Sequence, residues 1–394
     1  MSAAPVIEDF SVWNYRVLKE VHFTRVTPLT VLIGANGSGK STVFDALAFL
    51  HESFSEGLET AWNRRNRMAG IRSRGSDGPI GFEIGYRAPG LGTSGLRKAR
   101  YQLRIEEQDR APVVASEIVS WSTAPGSGRP REIVRYEHGS GRWYDEEKGV
   151  YREQSLASPS TLAVTALANF DQHPRVRYLR DLVSGWYLSY VEPSATRSQP
   201  ESGPQRQLNK TGDNLPNVIQ YLQEKHPERL RRIFAELGRL VPQLEGFETS
   251  VMPDGRLLLR LKDRAFDELI LSRNVSDGTM KLLAYLTVLF DPDPPMMFGI
   301  EEPENQLHPE VLTDLVEVIR SVSGRSQVFV TTHSPEFVSG LEPAELWTIS
   351  RGADGYASVA RASDDLKLVA QVAAGGHLGD LWNENFIAHA GPGS

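Results

Sequence analysis

The run Gly34 to Ser41 reads GANGSGKS and satisfies every fixed position of G-x-x-x-x-G-K-[ST]. Each residue type there suits the binding of a polyphosphate. Gly34, Gly37 and Gly39 let the backbone curl so that successive N–H groups point inward, and Asn36, Ser38 and Thr42 complete the lining. Lys40 is expected to reach the β and γ phosphates, while the Ser41 hydroxyl ligates magnesium. The expected ligands are therefore ATP and Mg2+. A glycine-rich turn with an incidental lysine is the bland alternative, and the patterns on either side argue against it. LTVLIG before the loop reads as a strand, and STVFDALAFL after it has apolar residues at helical spacing, so a helix N-terminus faces the phosphates.

A second chemical cluster lies near the other end of the chain. MMFGIEEPENQLHPE, Met296 to Glu310, opens as a buried parallel strand that delivers Glu301 and Glu302 to its carboxyl end, where open α/β sheets place their ligands. Glu301 is assigned to the magnesium shell, directly or through water, and Glu302 to general-base activation of the attacking water. A nucleotide-hydrolysing site commonly has Asp in the first place, and a water-mediated contact would absorb the extra methylene of Glu301. The alternative is a strand that ends in solvated acids. QVFVTTHSPEF brings a further buried strand to His333, which can hydrogen-bond a γ-phosphate or be a satisfied structural histidine. VSDGTMKLLAYLTVLF, Val275 to Phe290, carries a Ser-Asp-Gly-Thr turn before a helix that is apolar almost all round, and Ser276 or Asp277 could simply cap it.

The elements that must hold these groups are legible in outline. Residues 1-56 form an N-terminal lobe with the phosphate loop. Residues 57-263 form an insertion, first with alternating runs such as IGFEIGYR and YQLRIEEQ that predict antiparallel strands, then with helices punctuated by Pro174 and Pro227. Residues 264-394 alternate buried strands and helices, which implies parallel strands joined by crossover helices. With 394 residues and no cysteine, the core needs no staple, and thiolate chemistry and Cys-type zinc sites are excluded. The net charge of −7 argues against a chain that coats nucleic acid non-specifically. MSAAPVIEDF does not read as a secretory signal, and the apolar runs fall short of the roughly 20 residues that span a bilayer. A cytoplasmic location with no membrane partner is expected.

The order of the motifs resembles the ABC-type ATPase head. LIGANGSGKS, VSDGTMKLL, GIEEPENQLHPE and VFVTTHSPEF together look like the AAA-named members related to RecF, SMC and OLD-family heads. The resemblance implies an α/β head with a mostly parallel central sheet, an antiparallel β subdomain and a helical insertion. It also implies that Ser276 and Gly278 contact the γ-phosphate held by a second subunit, so that a homodimer or higher homo-oligomer sandwiches ATP. Asn305 and His308 would belong to the loop that couples the two sites, and Arg16, in NYRVLKEVHF, would approach the nucleotide. Asp277 departs from the Gly that transporters usually carry, and the family's Q-loop glutamine is not assigned.

Heads of this kind act on something. OLD relatives carry a Toprim nuclease, but only about 60 residues follow His333, fewer than the roughly 100 of an ordinary domain. A separate effector such as a nuclease is therefore expected, as in the stand-alone ATPases of anti-phage systems that the chain resembles. NRRNRMAGIRSRG, with Arg64, Arg65, Arg67, Arg72 and Arg74, is the candidate contact for DNA or, equally, a solvated loop. The alternatives to a turning-over ATPase of this kind are an ATP-clamped scaffold for a partner protein, a DNA-repair or SMC-like ATPase, and a transporter's nucleotide-binding subunit, which the large insertion disfavours.

Overall fold

The fold was obtained as a computed structural model, which describes residues 6–89, 95–122, 130–145 and 147–387. The first five residues of the N-terminal reading lie outside that set. The chain divides into two compact units, one of Met1–Trp186, Ala344–Leu368 and Ile387–Ser394, the other of Tyr187–Pro343 and Val369–Phe386.

In the first unit an antiparallel sheet runs in the spatial order Leu18–Phe23, Val6–Tyr15, Ile80–Pro89, Leu96–Gln108, Ala111–Ser122, Pro130–Glu137, Ser140–Asp145, Val150–Ser155. Apart from the first two strands, each neighbour is also the next strand in the chain, so the sheet is mostly a run of hairpins. Period-two alternation puts Phe82, Ile84 and Tyr86 of one strand and Tyr101, Leu103 and Ile105 of the next into the core. That face packs on the helix Lys40–Ser55: Phe49 stacks on Phe82 with ring centroids 5.6 Å apart, and Phe54 meets Tyr101 edge-on at 5.4 Å. The helix that must receive the phosphates is thus anchored through its far half. The outer strand Val150–Ser155 is exposed throughout and carries Arg152 and Glu153, charges that discourage pairing at an open edge.

Three further strands of the same unit, part of a six-stranded sheet, support the phosphate loop directly. Leu29–Ile33, buried at every position, pairs in parallel with Leu346–Arg351, Val31 opposite Leu346 and Ile33 opposite Thr348. Leu346–Arg351 turns back as a hairpin into Ala357–Arg361.

The second unit contains the predicted strand–helix–strand. Met297–Glu301 lies parallel to and in register with Gln327–Thr331, Glu301 opposite Thr331, and Pro309–Val322 is the crossover helix. The helix Asp277–Leu289 is buried along nearly its whole length, as its unbroken apolar composition requires. The segment around Pro227 forms two helices, Leu215–Lys225 and Pro227–Leu240, because proline interrupts the hydrogen-bond ladder at that point. Leu230, Ile233, Leu237 and Leu240 are the buried stripe of the second. An antiparallel three-stranded sheet, Leu244–Val251, Leu257–Asp263 and Leu269–Leu271, completes the unit. No helix among the described residues is long and apolar enough to cross a membrane.

The arginine-rich segment is not a loop. It folds as two short helices, Leu58–Arg64 and Arg67–Ile71. Arg65 is buried between Asp45, 2.8 Å away, and Glu52, 2.7 Å away, and Arg64 pairs with Glu56 at 2.5 Å. Two of the five arginines considered for DNA therefore neutralise carboxylates of the phosphate-loop helix instead.

Candidate functional site

The phosphate loop belongs to the first unit. Its glycines answer to specific geometry. At Gly34 an added Cβ would stand 2.2 Å from the Ile349 carbonyl oxygen and 2.8 Å from Ser38 Oγ, so no larger residue fits. Gly39 combines φ +120° with 3.1 Å to Val17 and 3.2 Å to Ile349, and Gly37 has φ +77°, both in the region that L side chains avoid. Gly39 is also the N-cap of the helix and supplies no side-chain cap, so the first-turn N–H groups keep their donor capacity for an anion. Lys40 is buried, and its Nζ donates to the carbonyls of Gly34 at 2.8 Å and Ala35 at 3.1 Å, which holds the ammonium inside the curl. Ser38 Oγ is buried with no hydrogen-bond partner, whereas Ser41 and Asn36 are exposed.

Arg16 sits at φ 49° in the turn between the first two strands. Its guanidinium pairs with Asp45 at 3.0 Å, one helical turn beyond Ser41, and its Nε donates to the Gly70 carbonyl. Tyr15 donates its hydroxyl to the same Asp45 carboxylate at 2.6 Å, and burial followed by the Asp45 charge pushes the phenol well above its usual range. Asp45 is therefore the hub that ties the opening strands and Arg65 to the phosphate-loop helix.

The acidic motif, the histidine and the signature turn belong to the second unit. Beyond Glu301 the chain turns sharply: Glu302 has φ 45°, uncommon for a residue with a side chain, while its N–H still donates to Thr331 O at 2.8 Å. One Glu302 oxygen accepts from Asn305 Nδ2 at 2.9 Å, and the other lies 3.6 Å from His333 Nε2. Glu304 accepts from the His333 N–H and from Thr332 Oγ1 at 2.8 Å, which fixes the turn carrying the histidine. Glu302, Asn305 and His333 thus converge within this unit. His308 is the N-cap of Pro309–Val322, its Nδ1 accepting from Glu310 N.

Ser276 caps the signature helix by accepting from Thr279 N at 3.2 Å. Gly278 packs against the carboxylate loop so closely that a Cβ there would stand 2.4 Å from Gln306 O. Two residues not anticipated from the sequence organise this neighbourhood. Arg197 pairs with Asp277 and donates to Val275 O and Ser272 O, so it clasps the turn and neutralises the acid that replaces the more usual glycine. Lys281, buried in the signature helix, donates to the carbonyls of Glu302 at 3.2 Å and Asn305 at 3.1 Å. Burial pulls its pKa down to about 8 despite the opposing charges of Glu304 and Glu302. A lone lysine inside an otherwise apolar helix was the available signal.

Among the described residues no group of three or more His, Asp or Glu side chains could hold a metal unaided. Magnesium does not require one, since it commonly keeps waters and takes one or two protein oxygens besides phosphate. Ser41 and Glu301 are hard oxygen donors of that type.

No curated protein matches the chain. Among solved structures, the chain is similar to the Smc head bound to the C-winged helix domain of ScpA, at 15% identity and TM-score 0.56 over 90% of this chain and 97% of that one. It is also similar to an Smc head domain with an extended coiled coil bound to the C-terminal domain of ScpA, derived from Pyrococcus furiosus, at 15% identity and TM-score 0.51 over 94% and 100%. The model of a family described as "AAA domain, putative AbiEii toxin, Type IV TA system" matches residues 29–339. The chain belongs to this AAA family of phosphate-loop ATPases and has the α/β fold of an SMC head.

Proposed function

We propose that the chain binds ATP at Gly34–Ser41, hydrolyses it with Glu302 as general base, and works as a head-to-tail homodimer that controls a separate effector or responds to DNA. The observation that carries this reading is the phosphate loop, whose Gly34 leaves no room for a side chain, whose Gly37 and Gly39 hold φ values that side chains avoid, and whose Lys40 is held inward. Backbone N–H groups and the helix end bind the polyphosphate, with Lys40 beside the β and γ groups. Asn305 orients the Glu302 carboxylate so that its other oxygen can take a proton from water, and His333 donates toward the γ-phosphate. Lys281 holds the peptide on which Glu302 rides. The Ser41 hydroxyl and the Glu301 carboxylate are the residues that would hold magnesium, which would supply positive charge to offset charge developing on the phosphates.

Ser276 and Gly278 would serve the ATP of a second subunit, and the close packing of Gly278 on Gln306 supports coupling between that contact and Glu302. A partner chain is in keeping with the ScpA-bound heads of similar fold, a role in a toxin–antitoxin system is in keeping with the family description, and anti-phage defence is our inference from the motif resemblance alone. We place the activity in the cytoplasm, where ATP is supplied. Sedimentation with and without ATP tests the reading: Glu302→Gln should bind ATP and accumulate as a dimer, and Lys40→Ala should stay monomeric. A Glu302→Gln chain that remains monomeric at saturating ATP would refute the head-to-tail arrangement.

A further inference from the structure

Phosphate contacts cannot distinguish a nucleotide from a bare polyphosphate, and no residue of GANGSGKS offers a flat surface to a base. The walls of the loop do. Two hairpin turns of the first unit meet at Gly39, where a Cβ would stand 3.1 Å from Val17 Cγ2 and 3.4 Å from Ala357 Cβ. Val17 lies in the turn between Val6–Tyr15 and Leu18–Phe23, Ala357 begins the strand Ala357–Arg361, and the Ala357 N–H donates to Val17 O at 2.8 Å. Beside these two wall residues stand Lys19 and Tyr356. Lys19 Nζ is 4.5 Å from the Tyr356 ring centroid, and the Tyr356 hydroxyl donates to the Arg74 carbonyl. A half-exposed ring, next in sequence to a residue that walls the phosphate loop, is thus fixed at its hydroxyl end and steadied by an ammonium.

We propose that Tyr356, backed by Lys19, is the platform on which the base of the bound nucleotide stacks, and so the element that makes the loop select a nucleoside triphosphate. The chemistry is that of an aromatic side chain under a heteroaromatic base, a contact that tolerates different bases because every base has a π face. A lysine on the ring adds a cation–π contact that stiffens the platform. The inference rests on the reading of Gly34–Ser41 as a nucleotide site.

Equilibrium binding of ATP and of inorganic tripolyphosphate, each with magnesium, to the full chain tests it. Tyr356→Ala should weaken ATP binding about tenfold to a hundredfold, the range that loss of one stacked base gives, and leave tripolyphosphate affinity unchanged. Tyr356→Phe, which keeps the ring but loses the hydroxyl contact, should bind ATP as wild type does. A Tyr356→Ala chain that binds ATP normally, or that loses both ligands equally, would overturn the proposal while leaving the phosphate loop intact as a reading. Wild-type protein that binds neither ligand would overturn both.

Discussion

Replacing Lys281 with Met would remove a positive charge from a helix that is otherwise apolar, and the structure sets the size of the effect. At about 1.4 kcal/mol per pKa unit, the displacement from 10.5 to about 8 means that keeping this ammonium charged in the fold costs about 3 kcal/mol. Losing the lysine leaves Asn305 O without its donor, while Glu302 O keeps the Asn305 N–H at 3.2 Å. An unpaired carbonyl costs about 1–3 kcal/mol, and the weakened bonding at Glu302 O adds to it. The two effects nearly offset, so Lys281→Met should unfold within about 2 kcal/mol of wild type, a similar melting temperature for a chain of this size. Function should behave differently. Glu302 sits at φ 45°, its N–H donating to Thr331 O and its carbonyl accepting from Lys281 Nζ and Asn305 N–H, and the variant loses the lysine, which alone ties this turn to the signature helix through both Glu302 O and Asn305 O. A base displaced by about 1 Å can lose on the order of a hundredfold in rate. Thermal melting and steady-state phosphate release on the same sample would show a fold of ordinary stability with turnover about tenfold to a hundredfold lower. A variant that melts far below wild type would show that the charge is a net stabiliser, and one that turns over normally would show that Lys281 does not position Glu302.

Gly34→Ala should abolish ATP binding measured by calorimetry, because its Cβ would stand 2.2 Å from Ile349 O, and retained affinity would mean that the loop can rearrange. Arg65→Met should destabilise the chain by about 1–3 kcal/mol in denaturant unfolding, since Asp45 and Glu52 lose the buried cation between them but keep Arg16 and Arg64; an unchanged stability would show that water replaces it. Glu117 is fully buried, and burial raises its pKa to about 7 although Ala163 N, Val164 N and Tyr101 OH all donate to it. A folded pKa above the unfolded 4.5 means that its contribution is fully present below pH 4.5 and is lost as pH rises through 7. Wild type should therefore lose about 3 kcal/mol over that window relative to Glu117→Gln, and parallel pH profiles of the two proteins would contradict this.

How much of this was legible in the sequence follows from how local each feature is. The phosphate loop was legible because its glycines act through their own φ angles and a few neighbours, and the acid strand because the five consecutive apolar residues MMFGI leave little alternative before Glu301. The hairpin that walls the loop was not, since Leu346–Arg351 reaches Leu29–Ile33 only through pairing across more than three hundred residues. The pairing of Arg64 and Arg65 was not legible for a similar reason: their partners Asp45, Glu52 and Glu56 lie on or at the end of the preceding helix, and a charge run says nothing about which acids will face it. Arg197 lies some eighty residues from the signature turn it clasps, and no periodicity marks it. Lys281 was visible as an anomaly, a charge where the pattern asked for an apolar residue, and such anomalies tend to mark sites.

The most direct measurement of the central claim is phosphate release from ATP by wild type and Glu302→Gln at equal, verified ATP occupancy. A loss of about two to four orders of magnitude in the variant with nucleotide affinity preserved, the range expected for removal of a general base, is the predicted result. Equal rates in the two proteins, or no release by either, would contradict the assignment of Glu302 and the account of this chain as a hydrolysing ATPase.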